Sequence, residues 1–320
     1  MGRVVTVQGA LAPETLGFCH SHEHLWINPG RSAHVNPALR IDDEEKSLAE
    51  LIDFRQAGGR AVVDAQPVGC GRNAPALGRL SARSGVHIVA ATGFHKMCFY
   101  PKEHWVFSWD EAQLTALYAH ELRFGMYADG DASPPALRCG HRAGVIKTAL
   151  DTAWTAQTRK LFAAAGAAAR ETGAPLMVHV ERGSDPEGLA DFWEARGVDP
   201  ARMIFCHMDR AVDDPAVHRR LCRRGAAMEY DTVARGKYHS DAREAEIVAG
   251  MTAAGFGGQI LMGLDVTRAR MVRYGGTVGL PYILKTFLPL LHRAGVPAET
   301  AARFFTENPA RLLQTHTPGP

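Results

Sequence analysis

Five places in this chain carry side chains that could hold metal ions and activate water. They are the run His20-Ser21-His22-Glu23-His24, then Lys147, His179, His207 and Asp265. Histidine is the commonest metal ligand, and with 15 of them in 320 residues their placement says more than their number. His22 and His24 are two apart, so in extended backbone both rings project to the same side and can grip one cation. His20 shares that parity but stands earlier, which suits a structural or supporting role. His179 and His207 each close an apolar run, Met177-Val178-His179 and Phe205-Cys206-His207. A polar ring there is costly unless it meets a metal or a hydrogen-bond partner. Lys147, after Val145-Ile146, is expensive as an ammonium inside a fold unless paired, deprotonated or modified. Asp265 follows Met262-Gly263-Leu264. Singly, each has an ordinary explanation: a satisfied buried histidine, a salt bridge, a helix cap. Together they point to one site.

Such residues need strands to present them, and eight short apolar runs do so. They are Leu16 to Ser21, Ala61 to Ala65, His87 to Thr92, Gly144 to Thr148, Pro175 to Val180, Met203 to His207, Ala226 to Tyr230 and Gln259 to Leu264. Helix-like stretches separate them: Asp43 to Ala57, Trp109 to Phe124, Ala156 to Glu171, Gly188 to Arg196, Asp214 to Arg224, Ala242 to Ala254 and Pro281 to Arg293. Alternation of this kind is how βα units read when a parallel sheet is buried on both faces. The count suits a doubly wound sheet as well as a barrel. Metal-compatible groups at the ends of the first, fourth, fifth, sixth and eighth runs favour a TIM-type (β/α)8 barrel, whose chemistry sits at the C-terminal ends of its strands. Barrels of this length form around one core, so residues 1–320 read as a single domain.

Composition narrows the partners. With 36 basic and 34 acidic residues the formal charge is +2, so no general attraction to nucleic acid or a membrane surface follows. The N-terminus lacks a basic start followed by an apolar core, and no long uninterrupted apolar stretch occurs. Six cysteines without a CxxC pair read as reduced thiols of a cytoplasmic protein. There is no GxSxG elbow, no Walker loop and no GxGxxG opening a helix after the first strand. A small-molecule substrate and water activated by metal remain.

The order HxH, Lys, His, His, Asp resembles the phosphotriesterase-like branch of the amidohydrolase superfamily, from Gly17-Phe18-Cys19-His20 to Glu307-Asn308-Pro309-Ala310. The resemblance implies two divalent ions, Zn²⁺ or Mn²⁺, with His22, His24 and Asp265 on the more buried one and His179 and His207 on the more exposed one. It also implies that Lys147 is carboxylated and bridges them, and that homodimers are common. Within that branch the chain looks most like the phosphofuranose lactonases. That likeness rests on Ala91-Thr92-Gly93-Phe94-His95-Lys96, on Phe99-Tyr100-Pro101 with His104-Trp105, and on Met262 to Asp265 leading to Arg273-Tyr274-Gly275-Gly276.

The expected reaction is hydrolysis of a sugar 1,4-lactone by a hydroxide shared between the metals, with Asp265 accepting its proton and passing it to the leaving oxygen. Basic residues close behind the third, seventh and eighth runs are Lys96, Arg235, Lys237, Arg268, Arg270 and Arg273. From these, Lys237, Arg273 and Tyr274 are expected to clamp a phosphate or carboxylate, with His95 near the leaving group. Asp64 either orients a ligand histidine or makes a structural hydrogen bond. The rival reactions are hydrolysis of a phosphotri- or phosphodiester and of an N-acyl amide. Outside catalysis, the barrel could merely bind a small molecule, a reading that a missing ligand would favour.

Overall fold

The computed structural model describes residues 2–315. Two short antiparallel strands open the chain, β1 (Arg3–Thr6) and β2 (Gly9–Leu11). Eight parallel strands follow: β3 (Cys19–Glu23), β4 (Ala61–Asp64), β5 (His87–Gly93), β6 (Val145–Leu150), β7 (Leu176–Val180), β8 (Met203–Cys206), β9 (Ala227–Tyr230) and β10 (Ile260–Met262). They pair in sequence order. At the far end of the chain β11 (Gln314–Thr315) returns to β1.

The sheet closes on itself between β10 and β3, where backbone and side-chain contacts replace a regular ladder. The Asp265 N–H donates to the His22 carbonyl at 2.9 Å. The Glu23 carboxylate accepts from the N–H groups of Leu264 at 3.0 Å and Val266 at 3.1 Å. Gly263 permits this approach, since a Cβ there would stand 2.8 Å from both the nitrogen and the oxygen of the His22 backbone. The product is a TIM (β/α)8 barrel.

A sheet of this kind is covered on both faces, which is why its strands read as apolar runs. Cys19, Val63, Val89, Val145, Met177, Ile204 and Leu261 pack inside the barrel. A larger layer, including Phe54, Phe162, Trp193 and Phe205, lies between strands and helices. Helices Glu44–Gln56, Ala74–Ser84, Glu111–Arg123, Ala156–Thr172, Pro186–Glu194, Pro215–Arg224 and Asp241–Met251 alternate with the strands. Helical turns Ile283–Phe287 and Leu288–Arg293 follow β10. No described helix is long and apolar enough to cross a membrane, and the six cysteines are free.

One buried ion pair ties the loop after β4 to the helix after β5. Arg72 is 4% exposed and meets both Glu121 oxygens, at 2.7 and 2.6 Å, while also donating to the carbonyls of Ala91 and Tyr127. Breaking such a pair leaves a buried charge without its partner. Glu121→Gln is therefore expected to lower unfolding free energy by about 3–5 kcal/mol in chemical denaturation, and a loss below about 1 kcal/mol would mean that water or another group takes over the guanidinium.

Register sets the depth of the polar groups. On β6, Lys147 pairs with Gly93 of β5 and Met177 of β7, while Ala149 pairs with His179. Lys147 therefore starts two residues, roughly 6–7 Å, below the rim that carries His179. Its four-carbon stem spans that depth and brings the amine up beneath the mouth.

Candidate active site

Simple alternation along β3 would send His20, His22 and His24 the same way. The structure separates them, because a register irregularity falls between His20 and Glu23. The His20 ring packs 4.6 Å from that of Phe54 in the helix layer, with Nδ1 2.8 Å from Glu23 Oε1. His22 and His24 instead face a cavity of about 430 Å³ at the barrel mouth. On β8, Ile204 and Cys206 belong to the inner core, so alternation alone would turn His207 outward. Left-handed backbone at His207, with φ of 63°, redirects the chain there, and its ring lines the cavity. Asp265 has φ of 46° and also lines it. Such backbone costs a non-glycine residue of order 1–3 kcal/mol; at Asp265 the seam contact with His22 helps to hold it.

The structure thus brings His22, His24, Lys147, His179, His207 and Asp265 to one place. One ligand atom from each of His22, His24 and Asp265 lies within 4.8 Å of the others. The ring centroids of His179 and His207 are 4.5 Å apart, and those of His22 and His207 4.8 Å apart. His22 Nδ1 lies 2.8 Å from Glu229 Oε2 and 3.2 Å from Asp231 Oδ2, and His207 Nδ1 lies 2.6 Å from Asp231 Oδ1. A carboxylate only accepts, so the carboxylates hold the protons on both Nδ1 atoms and leave each Nε2 as the place where a second proton or a metal ion binds, the arrangement of a histidine prepared for a metal.

Electrostatics favour a cation at the same point. Burial and Lys147 lower the His22 pKa, but Glu229 and Asp231 outweigh them and it is pushed up to about 9. Positive charge at that ring is welcome, and a metal ion supplies it as well as a proton does. Burial lowers His179 to about 4 and keeps His207 well below its ordinary value, so both rings are neutral, the ligating form. Lys147 is fully buried. Its amine stands 3.1 Å from His22 Nε2 and has no carboxylate partner among the described residues. His24 Nδ1 is likewise buried without a hydrogen-bond partner among them. These orphaned groups fit a metal cluster.

Asp265 is clamped from the other side. Its Oδ2 lies 2.9 Å from Arg210 and 3.0 Å from Arg235, and its Oδ1 lies 3.4 Å from His24 Nε2. Burial opposes its charge, yet Arg235 and Arg210 hold its carboxyl well below the usual carboxylate range.

The residues expected to touch substrate divide into two groups. His95 and Lys237 line the cavity. The Lys96 N–H donates to His95 Nδ1 at 2.7 Å, and burial with His179 and Lys147 holds the ring neutral, so its remaining hydrogen sits on Nε2. Arg273 and Tyr274 are not brought there. Arg273 is spent on Asp53 at 2.7 Å, and the Tyr274 hydroxyl bonds Ser47 and the Asp43 backbone, each at 2.8 Å. The turn after Asp265 carries both toward the helix Glu44–Gln56, away from the mouth. Arg268 goes the same way, over the Tyr274 ring. Lys96 pairs with Glu181, Arg270 pins the carbonyls of Leu264 and Val233, and Asp64 accepts from the backbone of Leu25 and Gln66. Asp64 therefore makes structural hydrogen bonds.

Sequence reading missed Arg210, Glu181 and Glu229. Arg210 and Glu181 stand within three residues of His207 and His179, so proximity to a strand end was an available signal. Glu229, a carboxylate inside the apolar run Ala226 to Tyr230, carried the same burial signal as Lys147 and was passed over.

A sequence model described as the phosphotriesterase family matches residues 2–313. A phospho-furanose lactonase of Mycoplasmopsis agalactiae is 27% identical, over 98% of this chain and 92% of its own length. An N-acetyltaurine hydrolase of Danio rerio is 26% identical, over 98% of each chain. Among solved structures, a lactonase from Listeria monocytogenes superposes with a TM-score of 0.88 at 27% identity, covering 97% of this chain and 98% of that one. A match that runs the length of the barrel and takes in every residue gathered at its mouth places the chain in the phosphotriesterase family, as a hydrolase.

Proposed function

We propose that the protein opens a sugar 1,4-lactone carrying an anionic group such as phosphate. His22, His24 and Asp265 would hold an inner divalent ion, His179 and His207 an outer one, and a carboxylated Lys147 would join them. Zn²⁺ or Mn²⁺ suits these nitrogen and oxygen donors. When bound, the pair would bring a shared water toward neutral pKa and polarise the lactone carbonyl.

The observation that carries this reading is the buried Lys147 amine, which faces His22 without a counter-ion. Carboxylation turns that cation into an anionic bridge, which removes the cost of burying it unpaired. Asp265 is the base. With Oδ2 held by two guanidinium groups, Oδ1, on the His24 side, is the oxygen that faces the metal site, where it would take a proton from water and return it to the ring oxygen as that leaves as an alcohol. The Nε2–H of His95 can donate to the same oxygen. Lys237 at the rim, whose ammonium has no carboxylate partner among the described residues, favours an anionic substituent.

Amide hydrolysis is the second reading. A relative named for N-acetyltaurine, whose product side is a sulfonate, makes the same demand on the basic rim. A phosphoester is a third electrophile for the same machinery.

Protein loaded with Mn²⁺ or Zn²⁺ and bicarbonate separates these readings. The expected result is near two metals per chain and a higher kcat/KM for 1,4-lactones with a 5-phosphate than without. Preference for N-acetyltaurine or for a phosphoester would reassign the substrate, and metal-free protein would overturn the centre itself.

A further inference from the structure

Behind the rim, a second cavity of about 460 Å³ opens between the turn after β8, the segment after β9 and the helix Asp241–Met251. Asp209 and His239 line it, and Glu244 of that helix stands against them. One ligand atom from each of Asp209, His239 and Glu244 lies within 4.8 Å of the others.

Two observations show that these groups lack something. Glu244 is fully buried, and apart from the His239 ring no group is placed to donate to either of its carboxylate oxygens among the described residues. His239 turns Nε2 toward Glu244 Oε2 at 3.1 Å, while its Nδ1 lies 3.2 Å from the Ser240 carbonyl. Both neighbours only accept; with the ring hydrogen on Nδ1, Nε2 is the lone pair that a cation between it and the carboxylate would take. Asp209 cannot turn away, because its carboxylate is fixed by the N–H groups of Asp231 at 3.0 Å, Thr232 at 2.7 Å and Arg210 at 3.0 Å. In that tautomer three sets of lone pairs converge in a desolvated place, which is costly without positive charge between them. Burial and the neighbouring Asp209 push the Glu244 carboxyl well up, in line with that demand.

We propose that Asp209, His239 and Glu244 form a divalent-cation site separate from the barrel-mouth centre. One imidazole and two carboxylates suit Zn²⁺ or Mn²⁺, and the cavity gives the ion a path from solvent. Its role is positional. Asp209 holds the backbone of Asp231 and Thr232, Asp231 orients His207, and the segment that follows carries Arg235 and Lys237 to the mouth. A cation that fastens His239 and Glu244 to Asp209 fastens both ends of that segment.

The test is a Mn²⁺-soaked crystal measured at the manganese absorption edge, with Mn²⁺ counted on wild type, Glu244→Gln and His239→Ala. His239 is at a partly exposed loop position, so its variant guards against a folding defect in the other. The expected result is an anomalous peak between the three side chains, whether or not the mouth fills, and one Mn²⁺ fewer in each folded variant. No peak there at saturating Mn²⁺, or the same count in His239→Ala as in wild type, would overturn the proposal and leave a proton shared by Asp209 and Glu244 in its place.

Discussion

Replacing Lys147 by methionine is expected to lower kcat/KM by more than about a hundredfold, since even groups that only orient metal ligands cost about 10–100-fold when removed and a bridging ligand must cost more. Bound metal should fall from near two per chain. The metal-free variant, by contrast, should melt at or above the wild-type temperature. Methionine fills nearly the same volume as lysine, and it removes a buried amine that has no counter-ion near His22. Apolar replacement of buried charge is often neutral or stabilising. Loss of metal and activity with stability retained would separate a functional lysine from a structural one. Full metal content and activity in Lys147→Met would remove the bridge from the mechanism; a steep loss of metal-free stability would mean that the amine has a partner holding the core together.

That contrast also explains what the sequence made legible. A lysine or histidine at the end of an apolar run is conspicuous because burial makes it expensive, so Lys147, His179, His207 and Asp265 stood out before any geometry was known. Alternation could not say which way they point. His22 reaches the mouth through an irregularity in β3, and His207 through left-handed backbone. The two-residue spacing that groups His22 with His24 also groups them with His20, which the structure sends to the helix layer.

The eight strand runs were readable because a sheet buried on both faces leaves little room for polar residues. One helix was not. Ala74–Ser84 carries Gly78 in its interior, which weakens the local helix signal by about 1 kcal/mol relative to alanine. The glycine answers a distant contact: a Cβ there would stand 2.1 Å from the His141 ring. Strands β1, β2 and β11 were too short to show a period. Arg273 and Tyr274 were misjudged for a related reason. Distance along the chain from Asp265 says nothing about which way a turn leaves the barrel, and here Asp53, Ser47 and Asp43 draw both outward.

Asp265→Asn is the second large effect, expected to lower kcat by about 10²–10⁴-fold, the usual contribution of a positioned acid–base group. Asparagine keeps the shape and can still accept from Arg210, so metal should be retained better than in Lys147→Met. What it cannot do is take a proton from water and give it to the departing oxygen. The loss should therefore depend on the leaving group. An aliphatic lactone, whose alkoxide needs a proton, should suffer most, and an aryl ester or thiolactone of similar size, whose leaving group departs unaided, should suffer less. Equal losses on both would limit Asp265 to activating water, or to holding metal if the metal count falls in parallel. Arg210→Met completes the reasoning, because removing one of the two guanidinium groups from Oδ2 should free Asp265 to move. Its kcat should fall while metal content stays, and adding Asp265→Asn to it should cost little more, as expected for residues that act as one unit.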